Sequence, residues 1–147
     1  MLCFLLQEKA VLWIIGDKPD LLSFAGQLGP FFSERQVGPL DVLAVGDPTP
    51  VIADFYESMN PFEKITLHLD EEKSSRFLYD IPAKTIYYFG PLEGIEELRR
   101  DLIFLVDSEG LFENKHLFPW DCWEETPYPE NLIQKVNIYI NRSEVNE

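Results

Sequence analysis

The chain is 147 residues long and carries 26 acidic and 12 basic side chains, for a formal charge of −14. One domain spanning residues 1–147, with a sizeable core, is the expectation at this length, and 46% hydrophobic content excludes intrinsic disorder. The acid excess excludes a nucleic-acid backbone as partner, because that needs a basic footprint, and it favours a basic protein partner whose field is complementary.

Cys3 and Cys122 are too few for a disulfide framework, which points to a reducing, cytoplasmic setting. No segment reaches the length of a membrane span. The apolar start, residues 2–6, lacks the basic leader and the length of a signal peptide and reads as a strand or packed arm.

Residues 11–15, VLWII, are apolar and β-rich and predict a strand. Gly16-Asp17-Lys18-Pro19 then turns the chain into a helix carrying Leu21, Leu22, Phe24, Ala25 and Leu28, with Asp17 or Asp20 as its cap. Gly29-Pro30 ends or kinks that helix, Phe31 and Phe32 fold back on the core, and Gly38-Pro39 marks a turn. Residues 41–45, DVLAV, predict another strand. Gly46-Asp47-Pro48-Thr49-Pro50 leads into a helix with Val51, Ile52, Phe55, Tyr56 and Met59, stopped by Asn60-Pro61. Both Gly-Asp turns lack the glycine pattern and the lysine of a phosphate loop, so plain turn chemistry is the reading.

Residues 64–69, KITLHL, alternate as a strand, and 70–75, DEEKSS, form an exposed tip. Residues 76–79 return, Ile81-Pro82-Ala83 turns, and 85–89 follow, which predicts an antiparallel meander. His68 sits mid-strand and reads as a half-buried or surface imidazole rather than a catalytic one. Gly90 and Pro91 open the longest helix, 91–107, which the rest of the chain is organised around. Glu93, Glu96 and Glu97 suit its dipole, and Ile95, Leu98, Leu102 and Leu105 form one apolar stripe. Ile103, Phe104 and Val106 widen the stripe and predict burial nearly all round in the second half. Glu96 reaches Arg99 and Arg100, which read as a solvated face, and Gly110 is a natural stop.

Residues 111–131 have no regular period. Across 107–130, seven carboxylates stand against one base, Lys115, a net −6, and the span also holds Phe112, Phe118, Trp120, Trp123 and Tyr128. Long loops that are not disordered tend to carry function, and Trp and Tyr dominate binding hot spots. The partner-binding site is therefore assigned to Trp120 and Trp123 as anchors, with Asp121, Glu124 and Glu125 as steering and pairing groups. The competing reading is a wrapping segment whose aromatics plug the core. Residues 135–140, KVNIYI, predict a last strand, although Leu132, Ile133, Val136 and Ile140 also satisfy a helix. The tail after 141 is polar and expected to fray.

No nucleophile elbow, zinc-protease helix or Cys-x-x-Cys motif is present. Cys122 lies near His116, but Glu113, Asp121, Glu124 and Glu125 raise a thiol's pKa rather than lower it. Asp121, Glu124 and Glu125 lack the regular loop of a calcium hand. No catalytic residue, metal ligand or cofactor is assigned. The profile is similar in kind to bacterial toxin-neutralising immunity proteins; the similarity is one of composition, covers no alignable stretch and transfers no residue. The fold expected is α+β, with a mostly antiparallel sheet of about five or six strands, three helices packed on it and a parallel pair from the N-terminal β–α–β segments. The function expected is a non-catalytic acidic protein-binding module, most concretely an immunity-type inhibitor of a basic toxin. Two alternatives stand beside it: a small metal-assisted hydrolase or nucleotide-handling enzyme built on scattered carboxylates, and a structural or regulatory subunit of a homo-oligomer joined through residues 2–6.

Overall fold

β1 (Leu2–Gln7) and β2 (Val11–Gly16) pair antiparallel, from Leu2 opposite Gly16 to Gln7 opposite Val11. The computed structural model in which they are seen describes residues 1–35, 38–53, 59–107, 114–117 and 130–140, with the backbone alone for 114–117. β1 is apolar from Leu2 to Leu6 because both of its faces are covered: Leu2, Phe4 and Leu6 join the main core, and Cys3 and Leu5 a smaller one behind the sheet. An alternating strand would have one wet face. The turn between the strands is closed by the Ala10 N–H donating to the Gln7 carbonyl at 3.0 Å, with φ of 53° at Glu8 and 56° at Lys9. These are the two left-handed positions of a type I′ turn, which Asn and Gly ordinarily fill.

α1 (Lys18–Gln27) is started by Asp17, whose Oδ1 accepts from the Asp20 N–H at 3.1 Å. Pro19 falls in the first turn, where its missing N–H has no helical partner to lose. α2 (Gly29–Ser33) turns Phe31 into the core as expected. β3 (Leu40–Leu43), the single turn α3 (Thr49–Ile52), β4 (Met59–Phe62), β5 (Lys64–Leu69), β6 (Arg76–Asp80), β7 (Thr85–Gly90), α4 (Leu92–Asp107), β8 (Asn114–Leu117) and β9 (Lys135–Ile140) complete the order.

Among the described residues the strands form two mixed sheets, in the orders β4-β1-β2-β9-β8 and β3-β5-β7-β6. The α+β class stands, while the single, mostly antiparallel sheet does not. The meander over 64–89 is corrected as well: β7 lies between β5 and β6, parallel to the first and antiparallel to the second. This places the two most buried strands of that sheet side by side at its centre and sends β6, with Arg76 and Asp80, to an edge. The polar 70–75 connection passes over the end of β7, where the Asp70 N–H donates to the Gly90 carbonyl at 2.7 Å.

The N-terminal segments form no parallel pair with each other. The parallel neighbour of β2 is β9, and β3 pairs antiparallel with β5. Met59, expected on a helix, opens β4 instead, and Pro61 stands opposite Leu5. β4 is an edge strand, where a proline can forgo its N–H without breaking a ladder bond. Phe55 and Tyr56 of the expected helix, and the Gly110 stop, lie outside the described residues. β8 had no strand signal, since NKHL is too short and too polar to show alternation.

Both sheets and both long helices share one core. It joins Ile14 and Ile138 of the first sheet, Ile65 and Ile86 of the second, Leu21, Phe24 and Leu28, and the α4 stripe of Ile95, Leu98, Leu102 and Leu105. Each side chain of this size contributes roughly 1.5–3 kcal/mol when fully buried. Phe24 meets Phe4 edge-on at 6.0 Å. The second half of α4 is not buried nearly all round, because Phe104 is 51% exposed, whereas Arg99 and Arg100 face outward as expected. Arg100 pairs with Glu96 at 3.9 Å, as the spacing predicts, and Arg99 lies over the Phe32 ring at 5.4 Å. The sheets meet where Leu2 and Val45 exchange backbone hydrogen bonds of 2.8 and 2.7 Å.

Candidate functional site

Trp120, Asp121, Trp123, Glu124 and Glu125, the partner-binding residues assigned from sequence, lie outside the described residues, as does Cys122. The described part of the chain has its own concave, charged feature. A cleft of about 420 Å³ lies between the 71–75 turn and the first turns of α4, lined by Glu71, Glu72, Glu93 and Glu97 with Lys73 as its one cation.

Local rules build each wall. Asp70 closes the turn: its carbonyl accepts from the Lys73 N–H at 3.2 Å and its Oδ1 from the Glu72 N–H at 3.1 Å. Glu71 Oε1 then accepts from the Leu92 N–H at 3.2 Å, so the turn supplies the cap for the helix. A carboxylate there meets the positive end of the helix dipole, and Glu93 adds another in the first turn. Tyr88, 2% exposed, is packed beneath Ser75 and Gly94 of this lining. Its hydroxyl donates to the Pro91 carbonyl at 3.0 Å and pairs with Ser75 Oγ at 3.1 Å. Burial pushes the Tyr88 phenol up to about 12; the bond to Ser75 works against that, and the charges of Glu71 and Glu97 reinforce it. At neutral pH the group beneath the lining is therefore a fixed, neutral hydrogen-bonding phenol, while the lining itself is rich in carboxylates. Such a lining favours cations over anions.

Cys3 is buried, and that burial pushes its thiol up to about 11, well away from a thiolate at neutral pH. His68 is half-buried on the outer face of the second sheet and stacks on Phe89 at 4.8 Å and 11°. Among the described residues, no three His, Cys, Asp or Glu side chains come together to hold a metal ion, and no helix is long and apolar enough to cross a membrane.

In the sequence the 70–72 acids and the 93–97 acids read as two separate local features, a turn tip and a dipole effect. Their convergence depends on β5 and β7 lying side by side in parallel, which no local pattern announces. The usable signal was two acidic clusters, each placed just after a predicted strand. Set against family models, curated proteins and solved structures, the chain matches none of them.

Proposed function

We propose that this protein is a non-catalytic binding module for a basic protein partner, acting as an inhibitor of the kind that would neutralise a cationic toxin. The observation that carries the reading is the cleft at the start of α4, where four carboxylates oppose one ammonium group within a concave wall. The net charge of −14 supplies a long-range field of the same sign. Complementary fields raise encounter rates and discriminate against acidic competitors, and concave low-dielectric walls focus them. Trp120 and Trp123 are proposed as apolar anchors beside Asp121, Glu124 and Glu125, on the sequence argument alone.

The test is titration of oligolysine followed by backbone amide shifts. Saturable binding that weakens steeply with salt, with shifts concentrated on residues 71–75 and 91–97, is expected. Shifts spread evenly over the surface, or no binding at low salt, contradict the reading. Trp120→Ala and Trp123→Ala, measured against the isolated partner, test the anchors: normal folding with unchanged affinity removes them from the interface.

A further inference from the structure

We infer that the open edge of β3 receives an extended, lysine- or arginine-bearing segment of a partner protein by strand addition. β3 stands at one end of the second sheet. The Ala44 N–H donates to the Glu63 carbonyl at 2.8 Å, which fixes the phase of the antiparallel β3–β5 ladder. Backbone groups of Leu40, Val42 and Ala44 face β5, and those of Asp41 and Leu43 face outward. No described residue pairs with the outward N–H and C=O groups of Asp41 and Leu43. The opposite edge of the same sheet is treated differently. There the Tyr79 N–H donates to the Asn131 carbonyl at 3.0 Å, and the Ile133 N–H to the Phe77 carbonyl at 2.9 Å, so the chain covers β6 itself. Past Leu43 the β3 edge closes as well, because Val45 pairs with Leu2.

What stays open is a short template of four backbone groups beside a Leu43 side chain that is 59% exposed. An added strand supplies both main-chain partners and apolar cover for Leu43. The choice of occupant rests on charge and on the basic-partner reading above. A second copy of this chain would bring another −14 and its own Asp41 to the seam. Asp41 is on the edge itself, with its carboxylate turned toward Thr66 Oγ1 at 2.7 Å and Lys64 Nζ at 3.4 Å. A cationic strand relieves the acid excess, whereas an acidic or self-paired one adds to it.

The probe is a short peptide of alternating lysine and valine, with a glutamate–valine peptide as control, followed by amide shifts in the intact protein. Shifts centred on Asp41 and Leu43 are expected for the lysine peptide alone. Leu43→Pro removes an outward N–H that β5 does not use, so the sheet should persist while affinity falls about tenfold. Because the shift map needs no substitution, misfolding of Leu43→Pro leaves the inference testable. Lysine-peptide binding confined to the α4 cleft and indifferent to Leu43→Pro overturns the edge inference and spares the basic-partner reading. Equal binding of the glutamate peptide at the edge overturns the occupant's chemistry. Concentration-dependent dimers lost in Leu43→Pro, seen by sedimentation, overturn it in favour of self-pairing. Binding of neither peptide overturns it outright.

Discussion

The Tyr88 hydroxyl stands so close over Gly94 that a Cβ at position 94 would overlap it, and would overlap Ser75 Oγ as well. β7 of the second sheet, the 70–75 turn and the first turn of α4 are locked together at that point. Two effects of Gly94→Ala oppose each other. Helix propensity favours alanine by about 1 kcal/mol. Overpacking against a hydrogen-bonded, buried phenol costs about 1–3 kcal/mol and displaces Tyr88 from the Pro91 carbonyl. Net destabilisation is expected in denaturant unfolding. A stabilised Gly94→Ala protein contradicts the packing described here.

Tyr88 should also give the protein an alkaline signature. Its folded-state pKa is raised to about 12, against an ordinary value of about 10. A raised pKa means the neutral form is favoured by folding, so its stability contribution is complete below the ordinary value. That contribution is lost as pH climbs through the folded value. Denaturant midpoints for the wild type should fall more steeply between these limits than those for Tyr88→Phe. Parallel slopes would show that Tyr88 ionises like an exposed phenol.

The β1–β2 turn uses two residues that disfavour its geometry. A left-handed conformation costs a non-glycine residue about 1–2 kcal/mol, while glycine's extra unfolded-state entropy costs about 0.5–1 kcal/mol. Relief of strain is the larger effect. Lys9→Gly, with φ of 56° at that position, should raise stability, and adding Glu8→Asn should raise it further. A thermal melt of both variants measures this, and a lowered Tm contradicts the turn assignment.

Asp17 caps α1, and its Oδ2 also accepts from the Met1 amino group at 2.8 Å. Burial alone would raise its carboxyl, but the bonds from the amino group and the Asp20 N–H together bring it below the ordinary carboxylate range. A lowered pKa places the stabilisation above the unfolded value of about 3.9 and removes it as pH falls through the folded one. Asp17→Ala should cost about 1 kcal/mol at neutral pH and flatten the acid limb of the stability profile. Unchanged acid sensitivity would contradict the cap.

Locally coded features were legible in the sequence. The Gly-Asp-x-Pro start of α1, the Ile95–Leu98–Leu102–Leu105 stripe and the β-rich 135–140 strand each depend on residues within a few positions of one another, and all were found. Strand order depends on long-range burial, which no local pattern encodes. β7 inserts between β5 and β6, and β9 returns from the far end of the chain to lie beside β2. The same limit hid the cleft, because Glu71 meets Leu92 only once β5 and β7 are neighbours. The 120–125 assignment falls outside the described residues and rests on charge and aromatic content.

The central claim is that the cleft, and not acidity in general, is where a basic partner lands. Glu72→Lys with Glu93→Lys changes the cleft, and Glu8→Lys with Glu34→Lys makes the same net-charge change on exposed positions outside the cleft lining. The measurement is the affinity of both double variants for oligolysine, at equal and low ionic strength. Loss of binding in the cleft pair with little change in the second pair is the result expected; equal losses in the two pairs would contradict the account.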